Sequence, residues 1–252
     1  MNEQDSRRIV IGDVHGHYDG LMTLLTLISP NADDQVYFLG DLIDRGPQSA
    51  QVVEFVKNSP YRSLLGNHEH LLLEAFPNNQ AYPPALQAWL QSGGRATIAS
   101  YVDIELLVQH VDWIRTLPTY LDLGDIWLVH AGVNPTLPIE QQSHHEFCWI
   151  RDEFHNMPRP YFSDKLIITG HTITFTFQGV APGAIARGQG WLGIDTGAYH
   201  PKSGWLTGLD VTHSQVYQVN VYTQQVRTLL LNQVVMQINS NRFGTRHQAV
   251  RT

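Results

Sequence analysis

Three short strings place carboxylates, an amide and imidazoles beside small glycines: Gly12-Asp13-Val14-His15-Gly16, Gly40-Asp41-Leu42-Ile43-Asp44-Arg45-Gly46 and Gly66-Asn67-His68-Glu69. Oxygen and imidazole donors mixed in this way suit borderline divalent cations such as Mn²⁺, Fe²⁺ or Zn²⁺, because imidazole disfavours a pure Mg²⁺ or Ca²⁺ site. One carboxylate reaching two ions would make the site binuclear. Arg45 adds a planar, permanently charged fork that matches phosphate oxygens where lysine could not. The chemistry such a set could perform is attack of water on phosphorus, with two cations about 3.5–4 Å apart neutralising phosphoryl oxygens and lowering the pKa of a shared water.

Side chains so far apart in sequence need a scaffold that gathers them. Each string follows a run of β-formers, at Arg8 to Ile11, Gln35 to Leu39 and Arg62 to Leu65. Helical periodicity follows at Tyr18 to Ser29, Pro47 to Lys57 and His68 to Ala75, giving a βαβαβ order and hence a parallel sheet with right-handed crossovers. The C-terminal ends of such strands are where open α/β sheets bind ligands. Residues from about 83 to 117 read as a helical insertion near the rim, interrupted at Gly93-Gly94. Strands are expected again at Tyr120 to Leu123, Ile126 to Val129, Leu166 to Thr169, Gly183 to Ala186, Trp191 to Ile194, Gly204 to Leu209, Val216 to Val221 and Arg227 to Leu231, which favours two packed sheets over one wide one. A single domain over 1–235 and a polar tail over 236–252 are expected.

Composition narrows the function classes. The 252 residues carry a net charge of -7, which argues against a whole-protein nucleic-acid footprint. A single cysteine, Cys148, rules out an intramolecular disulfide and fits a reducing interior. Met1 to Arg8 does not read as a signal peptide, and no apolar run approaches the roughly 20 residues that span a bilayer. A cytoplasmic protein with no membrane partner is the expectation.

With His130 in Val129-His130-Ala131-Gly132 and His171 in Gly170-His171-Thr172, the chain resembles the phosphoprotein phosphatase family, metal-dependent Ser/Thr phosphatases of the calcineurin-like phosphoesterase fold. Its members carry GDxHG, GDxxDRG and GNHE in that order, then two histidines. The likeness runs from about Ile9 to about Leu209 and leans to the bacterial and phage branch. It implies an α/β fold of two packed mixed β-sheets flanked by helices, and two divalent ions, Mn²⁺ first. It gives one metal to Asp13, His15 and Asp41 and the other to Asp41, Asn67, His130 and His171. It also implies that Arg45 and Arg151 hold the phosphate with help from Asn67, and that His68 donates the proton, oriented by Asp44. Phosphorylated proteins would be the substrates.

Plainer readings exist for several of these residues. Asp44 could be a cap or a surface charge, and Arg151 could pair with Asp152 or Glu153. Glu69 is read as a structural carboxylate at a helix start, Cys148 as a small buried residue, and Asp195 as a turn that shapes the groove. Trp89, Tyr82 and Tyr101 could stack on an adenine or pack on a peptide. His17 and His70 could line the rim, while His110, His155 and the remaining histidines take a structural or surface role. The competing activity is symmetrical hydrolysis of diadenosine tetraphosphate, a related branch that commonly has glutamine where this chain has His15. A third class, a binding module with a dead site, would have lost Asp41 or His130, and neither is lost.

Overall fold

The computed structural model describes residues 6–238. Its first half repeats one unit three times. Strands β1 (Arg8–Ile11), β2 (Gln35–Phe38) and β3 (Arg62–Ser63) are each followed by a helix: α1 (Tyr18–Ile28), α2 (Ser49–Asn58) and α3 (Asn67–Ala75). The three strands pair in parallel. β3 is shorter than the sequence suggests, because the Leu65 amide turns away from the sheet to donate to the Pro118 carbonyl at 2.8 Å.

A helical segment follows, comprising α4 (Pro83–Trp89), α5 (Arg95–Ser100) and α6 (Ile104–Ile114), with a π-helical turn at Leu90–Gly94 joining the first two. It corresponds to the expected insertion. The chain then builds a second sheet from β4 (Tyr120–Asp122), β5 (Ile126–Val129), β6 (Leu166–Thr169), β7 (Ile185–Gly188) and β8 (Trp191–Gly193). Short helices α7 (His144–Trp149) and α8 (Asp152–His155), which periodicity did not reveal, sit between β5 and β6. Strands β9 (Trp205–Asp210), β10 (Gln215–Asn220) and β11 (Val226–Leu230) return to the first sheet, and α9 (Leu231–Val234) leads to β12 (Val235–Gln237) on the second. The second-half strands lie within one or two residues of their expected positions. β7 runs two residues beyond its expected end at Ala186, because Arg187 and Gly188 pair with Leu192 and Trp191. The tail expected over 236–252 begins inside β12, and from 239 onward it lies outside the described residues.

The two six-stranded sheets are ordered β11-β10-β9-β1-β2-β3 and β12-β7-β8-β6-β5-β4, each mixing parallel and antiparallel pairs. Side chains alternate between the faces of a strand, and the core divides accordingly. Ile9, Ile11, Val36 and Phe38 pack under Leu21, Leu24, Val52 and Val53 of the helices. Val10, Tyr37 and Leu39 face Leu128, Ile168 and Leu192 across the inter-sheet layer. Trp127, Val129, Ile167 and Trp191 pack against Phe147 and Phe154 on the far side. Continuous apolar runs such as Ile9-Val10-Ile11 are therefore the mark of strands buried on both faces.

Candidate metal centre and proton donor

Each site residue hangs from the C-terminal end of a strand. Asp13 and His15 follow β1; Asp41, Asp44 and Arg45 follow β2; Asn67 and His68 open α3 just after β3; His130 follows β5 and His171 follows β6. The three loops of the first sheet are stitched to one another. The Val14 and His15 amides donate to the Asp41 carbonyl at 3.1 and 2.8 Å, and the Gly16 amide donates to the Leu42 carbonyl at 2.8 Å. Gly66 has no room for a side chain, since a Cβ there would lie 2.3 Å from both the Asp41 amide nitrogen and its Oδ1.

The backbone at the site is strained. His15, Asp41, Asp44, Arg45 and His171 all have φ between 47° and 73°, in the left-handed region. Such residues cost of order 1–3 kcal/mol each and persist where surrounding contacts over-determine them. Glu69 supplies much of that determination. Its buried carboxylate accepts from the amides of Asp41 (2.7 Å), Leu42 (2.8 Å), Ile43 (3.3 Å) and Gly66 (3.0 Å). The structural role read for Glu69 thus includes clamping the loop that carries Asp41.

The imidazoles show what the cavity is built to hold. The Nδ1 of His15 faces the Ile43 carbonyl at 3.0 Å, and the Nδ1 of His130 faces the Leu39 carbonyl at 2.8 Å. A carbonyl only accepts, so in each ring Nδ1 carries the proton. Burial pushes both rings below the usual histidine range, so they are neutral and Nε2 presents a lone pair. The His130 lone pair points at Asn67 Oδ1 (2.9 Å), itself an acceptor, and lies 3.4 Å from Asp41 Oδ1. The Nδ1 of His171, another ring that burial pushes well down, meets the same Asn67 oxygen at 2.7 Å. The His15 lone pair lies 3.6 Å from Asp41 Oδ2. The His130 lone pair facing the Asn67 and Asp41 oxygens with no proton between them is the mark of a cation site, and pinning of the second ring nitrogen by a carbonyl is how ligating histidines are oriented.

Carboxylates complete the set. Ligand atoms of Asp13, Asp41 and His130 lie within 4.8 Å of one another, as do those of His15, Asp41 and His68. Asp41 belongs to both groups, as a bridging ligand must. Burial pushes Asp41 upward, but the protonated His68 ring and the His68 amide, which donates to Oδ1 at 3.0 Å, outweigh it and hold the carboxyl low. Burial and the neighbouring carboxylates Asp195 and Asp41 push Asp13 well up. Two divalent ions fit this donor set, and when bound they would supply positive charge for phosphoryl oxygens and acidify a water.

Asp44 is buried, not a surface charge, and its Oδ2 lies 2.6 Å from the His68 Nδ1. Burial lowers the His68 affinity for protons, but Asp41 and the hydrogen bond to Asp44 outweigh that and raise it overall. Arg45 sits above the site with one Nη 3.1 Å from the His15 Nε2 and its guanidinium 3.9 Å from the centre of the Tyr199 ring. Arg151 is exposed, and its Nη1 donates to the Thr172 hydroxyl at 2.8 Å, next to His171. Its side chain is thus turned to the site and not to Asp152 or Glu153.

Two residues differ from their sequence readings, and a third adds to its own. Trp89 is fully buried, so it cannot stack on a substrate; its indole N–H donates to Asp44 at 3.0 and 3.1 Å. Tyr101 is tied to His110 by a 2.7 Å hydrogen bond, and His110 is buried beside Glu54. Asp195 makes a turn as expected, its Oδ1 accepting from the Gly197 amide at 2.9 Å, and it is also a buried carboxylate whose pKa burial and the nearby Asp41 push up to about 6. It follows β8 as His171 follows β6, the same strand-end placement as the candidate site residues. Cys148 is buried and donates to the Leu65 carbonyl, in the structural role expected.

Residues 6–199 match the profile of the calcineurin-like phosphoesterases, a stretch that holds every one of these side chains. The chain belongs to the calcineurin-like phosphoesterase family. It is 33% identical over 158 residues to a symmetrical bis(5'-nucleosyl)-tetraphosphatase of Delftia acidovorans, covering 59% of this chain and 50% of that protein. Enzymes of the same name from Coxiella burnetii and Nitrosococcus oceani are 35% and 38% identical over 54% and 50% of this chain, and 45% and 43% of their own. The chain therefore spans about half the length of the curated relatives it matches. Among solved structures, a protein provisionally named a diadenosine tetraphosphatase superposes with a TM-score of 0.60 at 20% identity, covering 91% of this chain and 95% of that one. A serine/threonine phosphatase from Saccharomyces cerevisiae superposes with a TM-score of 0.56 at 14% identity, covering 90% and 80%. At such identities the structural likeness establishes the metallophosphoesterase fold, with its two mixed sheets flanked by helices. No helix among the described residues is long and apolar enough to cross a membrane.

Proposed function

We propose that this metallophosphoesterase hydrolyses a dinucleoside polyphosphate of the bis(nucleosyl) tetraphosphate class with two divalent ions, Mn²⁺ first and Fe²⁺ or Zn²⁺ as alternatives. The observation that carries the reaction is the convergence of neutral imidazole lone pairs, an amide oxygen and the Asp41 carboxylate on one buried point. Support for the substrate comes from the name shared by the curated relatives. Asp13, His15, Asp41, Asn67, His130 and His171 hold the ions. Arg45 and Arg151 bind non-bridging oxygens, and Asn67 helps place the phosphoryl group. A water gives up one proton to solvent as its oxygen bonds to phosphorus, the bond to the leaving oxygen breaks, and that oxygen takes the proton from the Nε2 of His68, which solvent then restores. Asp44 keeps the His68 ring in the orientation this transfer requires.

A second reading, a cytoplasmic enzyme that hydrolyses phosphoserine and phosphothreonine in proteins, is favoured by His15. Its ring presents a ligand nitrogen to Asp41 Oδ2 where the dinucleotide-cleaving branch commonly has glutamine. The two readings separate in one assay: turnover of diadenosine tetraphosphate, a phosphothreonine peptide and a phosphotyrosine peptide by metal-stripped protein with Mn²⁺, Mg²⁺ or Zn²⁺ restored. Dinucleotide turnover is expected to exceed that of both peptides. Peptide turnover far above that of the dinucleotide would replace the first reading with the second.

A further inference from the structure

The helical insertion is conventionally a place to look for substrate contacts, yet its most buried polar groups face inward to Asp44. That carboxylate accepts from three side chains. The His68 Nδ1 lies 2.6 Å from Oδ2. The Trp89 indole N–H is shared between the two oxygens at 3.0 and 3.1 Å. The Thr97 hydroxyl donates to Oδ1 at 2.6 Å. Thr97 is engaged from the other side as well, since its oxygen accepts from the Asp44 amide at 2.9 Å. Trp89 and Thr97 are themselves completely buried.

The turn between them is shaped to the same end. Leu90–Gly94 is π-helical, and Gly93 lies at φ 128°, a conformation that glycine tolerates and L side chains rarely adopt. Its carbonyl accepts from the Arg45 amide at 3.3 Å. At Gly94 an added Cβ would fall 2.4 Å from the Trp89 ring, so only glycine lets the indole lie flat against this turn. π-Helical turns are rare and recur at functional sites. The spacing Trp89, Gly93-Gly94, Thr97 therefore has one geometric outcome: an indole N–H and a hydroxyl arrive together on the outer side of the carboxylate that faces His68.

We propose that Trp89 and Thr97 are positioning residues for proton donation, holding the Asp44 carboxylate so that the His68 ring presents its Nε2 to the leaving group. The inference rests on the phosphohydrolase reading given above. The insertion is on this account part of the acid machinery and not only part of the substrate surface. Without these donors the carboxylate can rotate about its own bond, and the His68 ring loses the single orientation that lines Nε2 up with the departing oxygen. The consequence falls on substrates that need a proton. An alkyl phosphate leaves as a strongly basic alkoxide and depends on the acid; nitrophenyl phosphate leaves as a stable phenolate and depends on it little.

The test uses Thr97→Val, Thr97→Ser and Trp89→Phe in the full chain, with folding checked by circular dichroism and bound metal by elemental analysis. Thr97→Val, which keeps the shape and removes the hydroxyl, is expected to slow kcat on an alkyl phosphate about tenfold or more, within the range of acid catalysis. The loss on nitrophenyl phosphate should be several times smaller, with bound metal retained. Thr97→Ser, which restores a hydroxyl, should recover most of the alkyl phosphate loss. Equal losses on both substrates, or none on either, would overturn the proposal. A second readout needs no turnover. The proton in the His68–Asp44 contact should give a far-downfield ¹H resonance in Zn²⁺-loaded and metal-free protein, assigned by its absence in His68→Asn. Thr97→Val and Trp89→Phe should shift or broaden that resonance, and an unmoved line in both would sink the idea. If the parent protein turned over no phosphate ester or anhydride, the phosphohydrolase reading would fall while the resonance still decided whether Trp89 and Thr97 govern the pair.

Discussion

At the scale of single residues, the candidate site depends on buried carboxylates that fix their neighbours in place. His68 has Asp44 on one nitrogen, leaving the other free toward Asp41 Oδ2 at 4.0 Å. His68→Asn should therefore keep the metals and slow an alkyl phosphate by about 10²–10⁴. Diadenosine tetraphosphate, whose leaving group is a less basic phosphate, should lose much less. Steady-state kinetics on the two substrates check this, and equal losses would refute the donor role. Glu69 makes the opposite case, a carboxylate that never meets substrate. Glu69→Gln replaces one acceptor oxygen by an N–H₂ group facing backbone amides. Orphaned buried donors cost about 1–3 kcal/mol each, so urea unfolding should show a loss of at least about 2 kcal/mol, with weaker metal binding because the Asp41 loop is released. His155, packed among Phe154, Phe177 and Trp191, is held by burial to a pKa of about 3 against an ordinary value of 6.5. Between those values the unfolded chain binds a proton that the folded chain refuses. Its effect is absent above pH 6.5 and grows as the pH falls toward 3. At pH 5.5 the penalty is about 1.4 kcal/mol. His155→Phe should remove that share of the acid destabilisation, read as a flatter dependence of unfolding free energy on pH between 7 and 5.5.

At the scale of elements, strand ends and helix starts do the gathering. β1, β2, β5 and β6 deliver their ligands in the loops that follow them, and α3 delivers Asn67 and His68 in its first turn, with Glu69 closing a capping box onto Gly66. This much was legible, because β-formers followed by glycine and a metal-binding side chain is a local pattern. The insertion was legible as helical but not in purpose. Trp89 reads as an apolar stripe residue beside Leu86 and Leu90, and nothing local tells an indole that packs from one whose N–H reaches a carboxylate 45 positions earlier in the chain. Gly94→Ala tests the element directly. The added methyl presses on the Trp89 ring, and overpacking of this kind costs about 1–3 kcal/mol. A lowered melting temperature is expected, with a larger loss on alkyl phosphate than on nitrophenyl phosphate.

At the scale of the whole molecule, the metal site joins the two sheets. Asp13, His15, Asp41 and Asn67 come from the first sheet and its loops, and His130 and His171 from the second. These residues would hold ions between layers otherwise joined by apolar contacts such as Val10, Leu39, Leu128 and Ile168, so bound metal would tie the two sheets together. A ligand that binds only the folded state stabilises it by about 2.7 kcal/mol at a hundred times its Kd. Chelation should therefore lower the melting temperature, and restoring Mn²⁺ should raise it in a concentration-dependent way. A melting curve indifferent to metal would contradict a site that spans both sheets.

What the sequence by itself determined is the candidate set: Asp13, His15, Asp41, Asp44, Arg45, Asn67 and His68 stand in glycine-flanked strings after runs of β-formers, and the family resemblance adds His130 and His171, so that residue types suited to divalent metals and a phosphate are marked before any fold is known. Tertiary structure alone decided what supports that set. The amides that meet at Glu69, the Trp89 and Thr97 donors on Asp44 and the burial that makes Asp195 a reluctant acid all join residues remote in the chain, and side chains of one type pack or hydrogen-bond according to neighbours that only folding supplies. The same division covers specificity: the residues proposed to bind the phosphoryl group lie in local motifs, whereas a leaving group would meet surfaces built from distant segments, whose shape no local pattern encodes.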